Sequence, residues 1–350
     1  MTDGSYLHLK IGVIARTEIA RGLSIQTRNF VENMPVQRTL IIDMPSVDCA
    51  LDESWCPNPT HITYDARHHT LDERIVRDWL RGLDVVFTVE TPYDWRLPRW
   101  AREMGVKTVI QGNPEFYRHD QERYRWQEHP TQWWWPTSWR LNELPAGPVI
   151  PVPMPDNTPR VERAQRGEVL RILHVQGKKA FMDRNGSEVL ASALRVCRER
   201  VHVTMYGLLG DLPFIENRDN ITYERFPEGI EDRWAMYQDQ HLLIIPRRYG
   251  GLCLPALEAA ACGVAVAMPD FPPNDELSQL AFDARNRLQF DLACGPVVTA
   301  DTNHMDLGGF IDDMARAPGA VAMAQDAAYH TVPRWSQWRQ RYLDAFEALP

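Results

Sequence analysis

One run of this chain combines features that grip a phosphate with a residue that grips a pair of hydroxyls. An apolar run ends at Pro246, Arg247-Arg248-Tyr249-Gly250-Gly251 reads as a loop, and Pro255 to Cys262 reads as an almost wholly apolar helix. Pro255 suits the first helical turn, where no N–H is needed, and Gly263 suits the left-handed residue that ends helices. Paired glycines let a ligand approach the backbone, and the free N–H groups at a helix start favour a phosphate. Glu258 falls inside this apolar helix. A carboxylate desolvated alone costs several kcal/mol, so it needs hydrogen-bond donors or a charge partner. The adjacent hydroxyls of a ribose match its two oxygens; the rival reading is a carboxylate that complements only its own helix dipole.

The rest of the chain supplies a frame for such a site. Leu9 to Ala15, Thr39 to Ile42, Val85 to Val89, Lys107 to Ile110 and Gln132 to Trp135 read as short strands among helical patterns, with Ser24 as N-cap of a helix through Asn33. Six prolines between Leu144 and Pro159 exclude both a helix and a central strand, and mark a linker. The alternation restarts with strand Leu170 to Val175, helix Ser187 to Arg198, and strands Val201 to Tyr206, His241 to Ile245 and Val264 to Met268. This pattern predicts two parallel α/β domains, 1–150 and 166–330, joined by a linker at 151–165, with a cleft facing the strand ends. Residues 331–350 read as an amphipathic helix that packs back on the first domain. A net charge of -9 argues against a broad nucleic-acid or anionic-membrane surface. No apolar stretch is long enough to span a bilayer, the first ten residues lack the pattern of a signal peptide, and the six cysteines are scattered. A cytoplasmic protein with reduced thiols is expected.

The core Leu254-Pro255-Ala256-Leu257-Glu258-Ala259, followed by Ala261-Cys262-Gly263, resembles the signature of the large retaining glycosyltransferase clan of the GT-B fold. Members carry two glutamates separated by seven residues, with a glycine-rich middle. The resemblance runs over most of the chain, and the pattern is most similar to short phage- or actinobacterial-type members. It implies two Rossmann-like domains, a nucleoside-diphosphate sugar (a UDP- or GDP-sugar) as donor, no cofactor, no metal, and transfer to an acceptor hydroxyl with retention. Glu258 falls on the second glutamate, which binds the donor ribose. The first falls on Gly250, so the acid that usually touches the sugar is absent. Gly177-Lys178 after a strand, and Arg184 at the head of the next helix, are similar to the clan's diphosphate-binding elements, although Asn185 stands where a lysine is common. A departing diphosphate gains negative charge, and fixed cations stabilise it; Lys178, Arg184 and Arg248 are the catalytic candidates. Gly22, Gly177, Gly250, Gly251 and Leu252 join Glu258 as donor-side candidates. Glu90, Gln111, Asn113 and Glu115 are acceptor-side candidates, with Gln111 and Asn113 in the turn where relatives often carry a histidine. The acceptor could be a protein, a glycan, a small molecule or a modified nucleic-acid base.

Other signals carry less. In Trp133-Trp134-Trp135 neighbours point to opposite faces, so the three cannot form one stacking platform; packing is the better reading, with room for one exposed ring. His68-His69 and Asp312-Asp313 read as solvated surface, and the mixed tract Arg118 to Arg125 as a solvated helical face. Ile11-Gly12-Val13 lacks the glycine fingerprint of a nicotinamide enzyme. Two alternatives stand beside a transferase: a sugar-nucleotide epimerase or hydrolase on the same fold, and a non-catalytic sugar-nucleotide or glycan-binding protein.

Overall fold

The alternation of apolar runs and helices folds into two parallel sheets of identical connectivity. The computed structural model describes residues 9–19, 21–44, 50–117, 128–177, 183–207, 212–226, 232–284, 286–292 and 295–350. The first sheet comprises β1 (Ile11–Ala15), β2 (Val36–Asp43), β3 (Thr60–Thr63), β4 (Val85–Val89), β5 (Lys107–Gln111) and β6 (Gln132–Trp134), interleaved with α1 (Gly22–Asn33), α2 (Glu73–Leu80) and α3 (Leu97–Glu103). The second comprises β7 (Leu170–Val175), β8 (Val201–Tyr206), β9 (Ile221–Phe226), β10 (Leu242–Ile244), β11 (Ala265–Pro269) and β12 (Leu280–Phe282). Its helices are α4 (Ser187–Val196), α5 (Leu254–Cys262) and α6 (Asn274–Leu277). A two-stranded sheet of β13 (Asn286–Leu292) and β14 (Gly295–Asp301) precedes α7 (His304–Arg316), α8 (Pro318–Thr331) and α9 (Trp335–Glu347).

The strand orders are β3-β2-β1-β4-β5-β6 and β9-β8-β7-β10-β11-β12, with every pairing parallel. Each is the Rossmann order, in which ligands sit beyond the carboxyl ends of the strands where the order reverses. Those switch points are β1/β4 and β7/β10.

The chain divides into two units, Met1–Pro155 with Pro333–Pro350, and Asp156–Leu292 with Pro296–Val332. In the first, alternation along the strands sends Ile11, Val13, Val85, Phe87 and Val89 to one face, where Phe30 of α1 and Trp335, Tyr342 and Phe346 of α9 cover them. Ile14, Leu40, Ile42 and Val86 face the other way, against Val76, Trp79 and Leu80 of α2 and Leu97 and Trp100 of α3. Two of the α9 aromatics find partners for their polar tips: Tyr342 Oη donates to the Pro151 carbonyl at 2.8 Å, and Trp335 Nε1 to Asn29 Oδ1 at 3.0 Å. In the second unit, Ile172, Val203, Leu242 and Ile244 pack with Leu190 and Leu194 of α4 and Leu307 and Ile311 of α7.

Several local expectations need correction. α1 starts at Gly22 with Arg21 at the cap, and Ser24 lies inside it, its hydroxyl drawn to Glu18 Oε2 at 2.9 Å. Asp312 is buried rather than solvated. Its Oδ1 accepts the N–H groups of Arg198 and Glu199, both at 2.9 Å, which is why α4 ends at Val196 and not at Arg198. All three consecutive tryptophans are buried. Trp133 and Trp135 stack on one side, centroids 5.3 Å apart and 3° from parallel, while Trp134 packs on Phe346 on the other. The tract Arg118 to Arg125 lies outside the described residues. Cys56, Cys197, Cys253 and Cys262 are buried thiols that form no disulfide.

Candidate active site

At the carboxyl end of β10 the chain runs from Ile245 through Pro246, Arg247, Arg248 and the paired glycines to α5, whose first turn contains Pro255 and whose C-cap is Gly263 at φ 76°. Alongside, at the end of β7, Gly177 turns the chain at φ 66°, and Asn185 donates Nδ2 to the Val175 carbonyl at 2.9 Å. Gly186, at φ 75°, caps the start of α4. The two loops meet backbone to backbone: the Arg248 N–H donates to the Arg184 carbonyl at 2.9 Å. A Cβ on Gly186 would fall 2.4 Å from the Pro246 carbonyl oxygen. Gly177, Arg184, Arg248, Gly250, Gly251 and Leu252 therefore gather at the β7/β10 switch point. Lys178 lies outside the described residues.

A buried histidine underpins this junction. His174 Nδ1 faces the Ile244 carbonyl at 2.8 Å, an acceptor only, so that nitrogen carries the proton and Nε2 accepts from Ser187 Oγ at 2.8 Å. Burial pushes its pKa down, keeping the ring neutral.

Glu258 is 5% exposed. Tyr237 donates its hydroxyl to Oε2 at 2.8 Å, and Arg233 Nη1 lies 3.5 Å from Oε1, its guanidinium over the Trp234 ring at 4.5 Å. Burial raises the carboxyl pKa above its ordinary value, and Arg233 and Tyr237 pull it part of the way back. Burial and the neighbouring carboxylate also hold the Tyr237 pKa well up, so the phenol stays a donor. The sequence reading assigned the donors that Glu258 needs to a ligand; the protein supplies one donor and one cation itself. Neither partner was singled out, because each lies more than twenty positions away and nothing local marks it. A carboxylate has about four acceptor sites, so the pair leaves capacity for further donors.

Arg248 is partly exposed, its Nη2 3.6 Å from Asp301 Oδ1 on β14 and its guanidinium 5.7 Å from the Phe290 ring on β13. The β13–β14 pair had no counterpart in the sequence reading. Arg247 turns inward and is only 1% exposed.

In the first unit, polar residues collect at the β1/β4 switch point. Gly22 opens α1. Arg16 pairs with buried Glu18, and Glu90 takes a hydrogen bond from Asn113 Nδ2. Glu90 and Tyr93 both hold positive φ, 63° and 64°, a strained backbone of the kind that clusters at functional sites. Asn113 Oδ1 is buried with no hydrogen-bond partner among the described residues. Glu115 is buried. Gln111 is taken up elsewhere: its Nε2 bonds the Ile150 carbonyl and Tyr342 Oη, each at 3.1 Å, and its Oε1 accepts from Gln26 at 2.9 Å. Its amide ties β5 to α9 and to α1. Arg16, Glu18 and Tyr93 lie among these polar residues at the strand ends without having been singled out in the sequence; only the polar run after β1 hinted at the first two.

Among the described residues no group of three or more His, Cys, Asp or Glu is arranged to hold a metal ion. None of their helices is long and apolar enough to cross a membrane.

No protein-family model matches the chain, and no curated protein sequence matches it. Solved structures do. The Anabaena protein HepE, in complex with UDP and glucose, superposes with a TM-score of 0.68 at 12% identity, covering 98% of this chain and 100% of its own. A glycosyltransferase from Rickettsia africae gives 0.68 at 11% identity, covering 98% and 99%. Sucrose-phosphate synthase from Thermosynechococcus elongatus gives 0.61 at 13%, covering 97% and 100%. The fold is thus the two-sheet α/β fold of GT-B glycosyltransferases, each sheet in the Rossmann order.

Proposed function

We propose that the protein is a glycosyltransferase that moves a sugar from a nucleoside-diphosphate donor to an acceptor hydroxyl. The observation that carries this is Glu258, a buried carboxylate on the helix that follows a glycine loop at the β7/β10 switch point. Its free acceptor capacity suits a ribose. Arg184, Arg248 and the α5 start, together with Lys178, suit the diphosphate. In the reaction the bond from the sugar's anomeric carbon to the phosphate oxygen breaks and a bond to the acceptor oxygen forms on the same face. The acceptor proton passes to the departing phosphate oxygen, so no protein nucleophile and no metal is called for. Glu90, Asn113 and Glu115 are the acceptor-side residues of this reading, and Gly22 stays among its donor-side residues. HepE, crystallised with UDP and glucose, makes UDP-sugars the first donors to try.

The test is a melting-temperature screen of UDP, GDP and their sugars, followed by a transfer assay. A ligand that binds only the folded state adds about 2.7 kcal/mol at a hundred times its Kd, so one nucleotide should raise the melting point by several degrees. If none does, the proposal fails. Gly250, in place of an acid, favours one second reading, a sugar-nucleotide-binding protein without transfer. Tight donor binding with no product across a panel of glycan, protein and small-molecule acceptors would support it.

Two further outcomes follow from the site. Hydroxyl donors favour the ionised form of Glu258, so donor binding should lower its raised pKa and release a proton. Affinity should then rise with pH up to the raised value and level off above it. Calorimetry in buffers of different ionisation enthalpy, at a pH low enough that free Glu258 still holds its proton, reads the release directly; no release there, or uptake, would count against Glu258 as the acceptor. Asp301, partly exposed, competes with a diphosphate for Arg248. Asp301→Asn should raise nucleotide affinity about two- to fivefold at low salt, the scale of an exposed ion pair, and not at ~1 M salt. An equal effect at both salt concentrations would point away from charge competition.

A further inference from the structure

Position 250 lacks a carboxylate, and the structure shows what stands against it instead. Gly250 has φ 129°, a backbone that side-chain-bearing residues rarely adopt. A Cβ built on it would lie 2.3 Å from Arg247 Nη2 and 2.9 Å from Arg247 Cζ. The Arg247 guanidinium thus fills the direction in which a side chain at 250 would leave the backbone. It also reaches past Gly250: Nη1 donates to the Gly251 carbonyl at 3.1 Å and Nη2 to the Leu252 carbonyl at 2.7 Å. Its own carbonyl accepts from Asn274 Nδ2 at 3.2 Å, tying the turn to α6.

We infer that Arg247 is the positioning residue of the donor loop, and that Arg247 and Gly250 form one coupled unit in place of an acid at 250. This rests on the donor-site reading above. A planar guanidinium presents donors in a fixed fork and can hold two successive carbonyls; a lysine ammonium is a single point and cannot keep the same geometry. Holding the carbonyls of 251 and 252 fixes the two peptides that lead into α5 at Leu254, where the free N–H groups lie. The loop is shaped by an internal cation rather than held open by an outward carboxylate. An acid placed at 250 by a single substitution would have to displace the Arg247 guanidinium from both carbonyls and take up a strained backbone.

The test is a double-mutant cycle on the full chain with Gly250→Ala, Arg247→Ala and the pair, plus Arg247→Lys. Two readouts are used: the melting temperature without ligand, and affinity for UDP and GDP by calorimetry. Gly250→Ala alone should lower the melting temperature and weaken nucleotide binding at least tenfold. In the Arg247→Ala background the collision is gone and only backbone strain remains, so the same change should weaken binding less than threefold further. Arg247→Lys should stay about tenfold weaker than wild type. Additive effects in the melting cycle, or a lysine variant equal to wild type, would overturn the inference. If Gly250→Ala alone fails to fold, the double variant should recover folding, and its failure to do so would also overturn it. A wild-type protein that binds neither nucleotide would sink the donor-site reading, while the ligand-free melting cycle would still judge the Arg247–Gly250 unit.

Discussion

Glu258→Gln is expected to weaken donor-nucleotide binding about ten- to a hundredfold while the protein still folds. Glutamine keeps the shape of the side chain and one acceptor for the Tyr237 hydroxyl, so the helix packing around it survives. What it loses is the charge. Hydrogen bonds to a charged group are worth about 1.5–3 kcal/mol, and each 1.4 kcal/mol is tenfold in affinity. The dry setting, with the residue 5% exposed, favours the upper part of that range. Removing the charge also lifts a burial penalty, so the ligand-free melting point at neutral pH should hold or rise slightly. That opposite movement of stability and affinity separates a binding role from a structural one. Glu258→Ala is a poorer probe, since it leaves the buried phenol unpartnered. Unchanged calorimetric affinity in the glutamine variant would remove Glu258 from the donor site.

Gly186→Ala is expected to be the most damaging single methyl in the second unit's loops. The residue sits at φ 75°, and the added carbon would lie 2.4 Å from the Pro246 carbonyl oxygen and 2.6 Å from its Cβ. Neither contact is the tip of a flexible side chain that could swing aside. The left-handed conformation costs roughly 1–2 kcal/mol for a residue with a Cβ, and relieving the clash must part the two loops joined by the Arg248–Arg184 backbone bond. A loss of about 3 kcal/mol or more follows, roughly 6–12 °C in melting temperature for a unit of this size. Nucleotide affinity should fall with it, at least tenfold. Gly309→Ala is the control: it lies in α7 with open space around the new carbon, and should be neutral or slightly stabilising. Equal behaviour of the two variants would mean that the junction tolerates displacement.

Local signals carried the frame of the fold and the loop-to-helix junction that leads into α5. Pro255 and Gly263 bound α5 because their backbone chemistry allows little else there, and strand alternation placed β1, β4, β7 and β10 almost to the residue. What escaped depends on partners distant in sequence. Asp312 looks like any carboxylate on an exposed helical face until the chain ending α4 is laid beside it. Gln111 reads as a loop amide because its partners, Gln26, Ile150 and Tyr342, come from three other segments. Arg233 and Tyr237 show the same limit at Glu258: burial of a carboxylate can be inferred from an apolar helix, but not whether protein or ligand satisfies it. The inward turn of Arg247 and outward turn of Arg248 were equally invisible, since adjacent arginines differ only in which way the backbone points them.

The seating of α9 sets an order of assembly. Trp335, Tyr342 and Phe346 complete the face of a sheet whose strands lie between Ile11 and Trp134. On the ribosome, those strands emerge long before the aromatics that cover them. At about 5–20 residues per second the interval is roughly 10 to 40 s. Through that time most of the second unit is made, its α7 and α8 coming out just ahead of α9, while the first waits with Phe30 and Phe87 only partly covered. Loss of the last helix would therefore injure the half of the protein made first.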